Sequence, residues 1–221
     1  MLIYVTAIGS GYSAKTPIGD KKYEGVVGII EETKQSGKKY KNQAVDQENV
    51  FDLLYADTNF TLIEKCVIKS DLSIYHKSKL LLDLFQLIIK KHPKAKFHIE
   101  LSQGYKELGH ILTIIARLMY KHIEKITFLR YDTSIVKFPN SEFAISKEKF
   151  DVLKGFYEGT KDSHFNGKIA TNKYMHSGEK HRKYIYAVLK WCKEQGILDD
   201  KNYVTDFGKI LIEYSGLVVK K

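Results

Sequence analysis

The chain has 221 residues, 43% of them hydrophobic, with a formal net charge of +10 and a pI near 9.3. That length leaves room for two small domains or one large one. The basic balance points to a polyanionic partner such as nucleic acid, although all but three of the 36 basic residues are Lys and a lysine-rich surface would give the same sum. No apolar run reaches the ~18 residues of a membrane span, and Met1–Ile8 is too short and lacks the basic flank of a signal peptide. The two cysteines, Cys66 and Cys192, make neither a disulfide framework nor a metal-spaced cluster, which fits a reducing, cytoplasmic setting.

Leu2–Ile8 is β-branched and apolar and reads as a buried strand, followed by a Gly9-Ser10-Gly11-Tyr12 loop. Gly25–Ile30 reads as a second strand. Residues 33–49 are polar and lysine-rich, and Asn49–Asn59 has a helical apolar side. Thr61–Lys69 is the third strand. Ser70 and Asp71 then offer the side chains that cap a helix start, and the amphipathic run Lys79–Lys91 stops at His92-Pro93. Lys96–Leu101 is a strand, Ser102-Gln103-Gly104-Tyr105-Lys106 a small-residue turn, Glu107–Lys121 a helix, Lys125–Tyr131 a strand and Thr133–Phe138 a last extended piece. The 107–121 helix is apolar on nearly every side, so it is expected to be buried against the sheet and against a second copy of the chain. Strands alternating with helices predict an α/β, Rossmann-like, mostly parallel sheet over residues 1–140.

The segment 138–146, with Pro139, Asn140 and Ser141, is the best linker candidate, and the rhythm changes after it. Lys147–Glu158 is helical, Ile169–His176 is a short segment, and Gly178–Gly196 holds a long helix with Ile185, Val188, Leu189 and Cys192 inward. Ile197–Thr205 reads as strand, tight turn, strand, and Phe207–Ser215 closes as a helix. Gly196 suits the end of the long helix. This order predicts a winged helix-turn-helix domain over residues 146–221. The basic and acidic residues number 21 and 16 up to Ala144, then 15 and 10, so each part carries +5 and the smaller carries it at higher density.

The turn Ser102–Lys106 leaves backbone N–H groups at a helix start, where an anion can bind, with Ser102 and Lys106 adding a hydroxyl and a charge. A plain strand-to-helix turn would use the same residues. In a parallel sheet the 9–11 loop emerges on the same edge, where open α/β sheets bind ligands. Lys180, His181, Arg182 and Lys183 open the long helix of the tail, where a recognition helix meets DNA; a solvated basic face on a protein-contact module is the blander account. Arg117 and His122 have the Arg-x4-His spacing of certain RNA-cleaving helical domains, but only about 75 residues of tail remain for such a domain, and both read as helix-end residues. Asp46, Glu48, Asp52 and Asp71 are more simply caps than metal carboxylates. No metal and no cofactor is expected.

The order of an α/β half and a winged-helix tail resembles the CRISPR-associated Rossmann-fold (CARF) regulators that carry a C-terminal winged helix. The similarity runs from about Thr61 to Gly216 and is best over Phe97–Tyr131. Ser102-Gln-Gly-Tyr-Lys106 stands at the family's ligand-loop motif, with Gln103 where the family usually has the first of two glycines. Gly9, Ser10 and Gly11 match its other ligand loop. The resemblance implies a homodimer that binds a cyclic oligoadenylate across its two-fold axis and regulates transcription by binding double-stranded DNA in antiviral defence. It implies Gly9, Ser10, Gly11, Ser102, Gln103, Gly104 and Lys106 as ligand-binding residues. If the protein is instead a ring nuclease that linearises the ligand, Ser10 and Lys106 would be catalytic. Residues 12–60 lack the family's long first helix. That difference favours a rival: Gly25–Glu32 and Lys38–Val45 as a β-hairpin of a ribonuclease H-like fold, catalytically inactive because Thr6-Ala7 stands where such enzymes need an acid.

Overall fold

The computed structural model describes residues 1–8, 22–32, 51–52, 60–102, 106–129, 135–138, 143–160 and 179–220. The chain divides into two compact units, Met1–Glu142 and Phe143–Lys221. In the first unit, β1 (Leu2–Ala7), β2 (Gly25–Glu32), β3 (Leu62–Lys69), β4 (Lys96–Glu100), β5 (Ile123–Leu129) and β6 (Ile135–Phe138) form one sheet in the order β3-β2-β1-β4-β5-β6. Every neighbouring pair is parallel except β5 and β6. Helices α1 (Ile74–Lys91) and α2 (Lys106–Leu118) provide the crossovers on either side of β4. The strand order reverses between β1 and β4, which makes that gap the switch point of the sheet.

The central strands β1, β2 and β4 are buried on both faces, as the middle of a parallel sheet must be, whereas β3 at the edge leaves Ile63 and Val67 exposed. Residues 3, 5 and 7 of β1 share one face with Phe97 and Ile99 of β4, because Ile3 pairs with Phe97 and Val5 with Ile99. Helix α1 covers this face, and Phe85 stacks on Phe97 with ring centroids 4.8 Å apart. The opposite face carries Tyr4, Ile8, Val26 and Ile30, packed with Tyr23 and Phe51 into a second apolar cluster. Gly28 of β2 lies directly under the Phe51 ring, which occupies the space a Cβ would need.

Four sequence expectations change here. Helix α1 does not start at Ser70-Asp71. The Ser70 N–H donates to the Glu32 carbonyl at 2.9 Å, so the chain is still tied to β2, and Ser73 supplies the cap by accepting from the His76 N–H. The hairpin of Gly25–Glu32 with Lys38–Val45 is excluded: β2 has β1 on one edge and β3 on the other, both parallel, which leaves no edge for a hairpin partner and removes the ribonuclease H-like alternative. Residues 38–45 themselves lie outside the described residues. Strand β5 begins at Ile123 rather than Lys125, and the register between β4 and β5 shifts between Phe97 and His98. Finally, α2 is not apolar all round. Leu108, Ile111, Leu112, Ile115, Ala116 and Leu118 are buried, whereas Lys106, His110 and Thr113 are exposed. The helix is amphipathic in the ordinary way, and its apolarity by itself demands no second copy.

The second unit holds β7 (Ile145–Ser146), α3 (Lys147–Thr160), α4 (Glu179–Glu194), α5 (Asp206–Glu213), α6 (Ser215–Val218) and β8 (Val219–Lys220), with β7 and β8 paired in parallel so that the unit's ends meet. Ile185, Val188, Leu189 and Cys192 of α4 are buried. The helix ends in a Schellman motif: Gly196 has φ of 70°, its N–H donates to the Lys193 carbonyl and the Ile197 N–H to the Cys192 carbonyl. Between α4 and α5, Leu198 and Val204 form a single antiparallel bridge around a tight turn. The Asp199 carboxylate accepts from the N–H groups of Lys201 and Tyr203, and Asn202 takes the left-handed conformation at φ 68°. Thr205 caps α5 by accepting from the Gly208 N–H. The short segment 169–176 lies outside the described residues.

Candidate functional site at the sheet's switch point

The two loops singled out in the sequence follow neighbouring strands. β1 and β4 run side by side and parallel, with Thr6 opposite Glu100. The carboxyl ends of β1 and β4 therefore lie side by side at one edge of the sheet, at the switch point, where ligands of open α/β sheets bind. Gly9, Ser10, Gly11, Gln103 and Gly104 lie outside the described residues. Of the predicted ligand residues, Ser102 and Lys106 are described: Ser102 is half-buried just past β4, and Lys106 is exposed as the first residue of α2.

Glu100 is the residue that the sequence reading missed. It is the last residue of β4, and its side chain is buried. Its Oε1 accepts from the Ser102 N–H at 2.7 Å and from the Ser102 hydroxyl. Its Oε2 lies 3.3 Å from Thr6 Oγ1, whose single proton is placed between that oxygen and the Ala7 carbonyl at 3.2 Å. One carboxylate thus ties the end of β1 to the turn after β4. The signal in the sequence was the alternation His98, Glu100, which puts two polar side chains on one face of a central strand.

His98 continues the same face. Its Nε2 is 2.7 Å from Thr127 Oγ1 and its Nδ1 bonds the Tyr23 hydroxyl. The His98 ring also stacks against Tyr23, with centroids 5.6 Å apart, and meets Tyr4 edge-on at 5.1 Å. Thr6, His98, Glu100 and Thr127 are all buried, so these bonds satisfy groups that would otherwise be costly to hold away from water.

On the other face, Lys77 anchors the same edge. Its side chain is 2% exposed, and Nζ lies 2.6 Å from Glu31 Oε1 at the end of β2 and 3.1 Å from Glu107 Oε1 in the first turn of α2. Burial works against the ammonium, but the hydrogen bonds and charges of Glu31 and Glu107 outweigh it and hold the Lys77 pKa above the ordinary lysine value. Lys77 therefore ties the first turn of α2, next to Lys106, to the end of β2.

The remaining candidates fall elsewhere. Arg117 sits in the last turn of α2, and His122 Nδ1 lies 3.1 Å from the Ala95 carbonyl oxygen, which are helix-end roles. Asp52 pairs with Lys65 at 3.4 Å; Asp46 and Glu48 lie outside the described residues. Among the described residues no group of three His, Cys, Asp or Glu side chains could hold a metal ion, and no helix is long and apolar enough to cross a membrane. In the second unit, Lys180, His181, Arg182 and Lys183 all belong to the first turns of α4, and Lys183 is exposed.

No family description and no curated protein matches the chain. Among solved structures, Enterococcus italicus Csm6 bound to cyclic hexa-2'-fluoro-hexa-dAMP aligns with a TM-score of 0.48 and 12% identity, over 90% of this chain and 56% of that one. The chain thus spans little more than half the length of that protein. The placement of the candidate site rests on the strand order and register of this chain, not on that likeness.

Proposed function

We propose that this chain is a dimeric, ligand-responsive DNA-binding regulator of a CRISPR system that senses cyclic oligoadenylate. The sensing unit would be the Rossmann-like residues 1–140 and the output unit a winged helix-turn-helix over residues 146–221. The observation that supports this reading is the parallel pairing of β1 with β4, Thr6 opposite Glu100, which brings together the two strand ends that the predicted ligand loops follow in sequence. Lys106 at the start of α2 supplies a positive charge at a helix N-terminus, suited to a phosphodiester. A two-fold partner would bring a second copy of the same edge, matching a symmetric ring. For the output, the order helix, helix, tight hairpin and closing helix supports a winged helix, with the basic opening of α4 directed at DNA phosphates.

A second reading uses the same pocket. Ser10 and Lys106 could stabilise charge while the ligand's own 2′-hydroxyl attacks the neighbouring phosphate, opening the ring. The exposed Lys106 next to the switch point is the observation that favours it. Incubation with labelled cyclic tetra-adenylate separates the two: a retained intact ring supports the regulator, and a linear product supports the nuclease. Absence of both nucleotide and DNA binding would leave a protein-assembly module.

A further inference from the structure

The outward side of α4 carries more than the basic residues of its first turns. Ile185, Val188, Leu189 and Cys192 are buried, and Lys183, Tyr186, Ala187 and Lys190 are exposed. Tyr186, at 56%, is the most exposed large apolar side chain among the described residues. Lys190 is 81% exposed and lies 4.0 Å from Glu194, an exposed pair one turn apart that is weak enough to yield to a phosphate. From Lys183 to Lys190 the helix has no acidic residue. The two lysines stand about 10 Å apart along the helix axis, with Tyr186 and Ala187 midway between them. Each lysine has a flexible four-carbon stem that reaches a phosphate at the rim of a groove. The apolar midpoint is left for the groove floor. The major groove offers one apolar feature there, the C5 methyl of thymine.

We infer that Tyr186, with Ala187 beside it, reads thymine methyl groups in the major groove of duplex DNA, while Lys183 and Lys190 hold phosphates on either side. Contacts from lysine to phosphate carry no sequence information, so Tyr186 is the specificity-determining residue of this face. The excess of 15 basic over 10 acidic residues from Ile145 on suits the same polyanion. This inference rests on the proposed DNA-binding role of the second unit and names what α4 reads.

The test is fluorescence anisotropy of the full chain with the duplex that wild type selects from a random 30-base-pair library, made once with thymine and once with uracil. Uracil pairs in the same way and lacks only the methyl group. Wild type should bind the uracil duplex more weakly, by about fourfold for each buried methyl lost. Tyr186→Ala should weaken binding to the thymine duplex, bind both duplexes equally and leave the salt dependence as in wild type, because no counterion is involved. Tyr186 is more than half exposed, so its loss should leave the fold intact. Lys190→Ala should weaken both duplexes alike and lower the log–log salt slope by about 0.9. Equal binding of the two duplexes by wild type overturns the inference and leaves DNA binding standing. So does a Tyr186→Ala variant that still prefers thymine, or a Lys190→Ala variant with unchanged affinity and slope. If wild type selects and binds no duplex, the proposed DNA-binding role itself fails, and the inference with it.

Discussion

Lys77 Nζ and Glu31 Oε1 stand 2.6 Å apart, and neither side chain is more than 9% exposed. The pair joins the start of α1 to the end of β2, and through Glu107 it reaches α2. Its position makes it a brace for the edge of the sheet where β2 ends and α2 begins.

Lys77→Met should therefore destabilise the first unit by about 3 kcal/mol, because Glu31 would be left buried without its counter-charge. The pH dependence has a definite sign. A lysine whose pKa is raised on folding contributes stability that is fully present below the ordinary lysine value of about 10.5 and is lost as pH rises through the higher folded value. Urea midpoints of wild type and variant should stay separated from pH 7 to 10 and converge above that. A constant gap up to pH 12 would contradict the brace.

Gly28 and Phe51 should be energetically coupled. A Cβ at position 28 would run into the Phe51 ring, so Gly28→Ala should cost about 1–3 kcal/mol by overpacking. The same change in a Phe51→Ala background should cost far less, since the ring is gone. Denaturation of the two single variants and the double variant checks this; strictly additive losses would place Phe51 away from β2.

Both thiols should be sluggish in the folded protein. Burial pushes the Cys66 pKa up to about 11. Burial also takes Cys192 to about 12, against the opposing charge of Lys149. At pH 8 roughly a thousandth of Cys66 would be thiolate. A disulfide reagent should label neither residue quickly at that pH and both after addition of urea. Rapid labelling of two thiols in the native state would rule this out.

The strands were legible because buried parallel strands write themselves as apolar β-branched runs: Leu2–Ala7 and Gly25–Glu32 carry that pattern on both faces. The inward face of α4 was legible too, since Ile185, Val188, Leu189 and Cys192 recur at helical spacing. The start of α1 was not. Ser70, Asp71 and Ser73 are all good caps, and the choice fell to Ser70's bond with Glu32, a tertiary contact with no local signature. For the same reason Lys77, which precedes the amphipathic run read from Lys79 to Lys91, gave no local sign of its role. Its partners lie 46 and 30 positions away in sequence, by subtraction from residues 31 and 107. At the candidate site the two loops could be assigned to strand ends, but the role of Glu100 could not, because only the pairing of β1 with β4 brings Thr6 to the carboxylate that also holds Ser102.

The DNA-binding assignment predicts a salt effect. Replacing Lys180, Arg182 and Lys183 by Ala should weaken duplex binding and lower the log–log salt slope by up to about 3, roughly 0.9 for each phosphate that is no longer neutralised. A fluorescence-anisotropy titration at several salt concentrations reads both numbers. Unchanged affinity and slope would move the DNA surface, or remove it.

The central claim is a cyclic oligoadenylate site at the crevice between β1 and β4, and calorimetry of wild type and Lys106→Ala with cyclic tetra-adenylate and cyclic hexa-adenylate tests it most directly. The account predicts saturable binding of one ring size, with one ring per two chains. It also predicts that Lys106→Ala weakens that binding by about 1–3 kcal/mol, the worth of a charge-assisted hydrogen bond. Absence of binding for both rings by wild type, or equal affinity for wild type and Lys106→Ala, would contradict it.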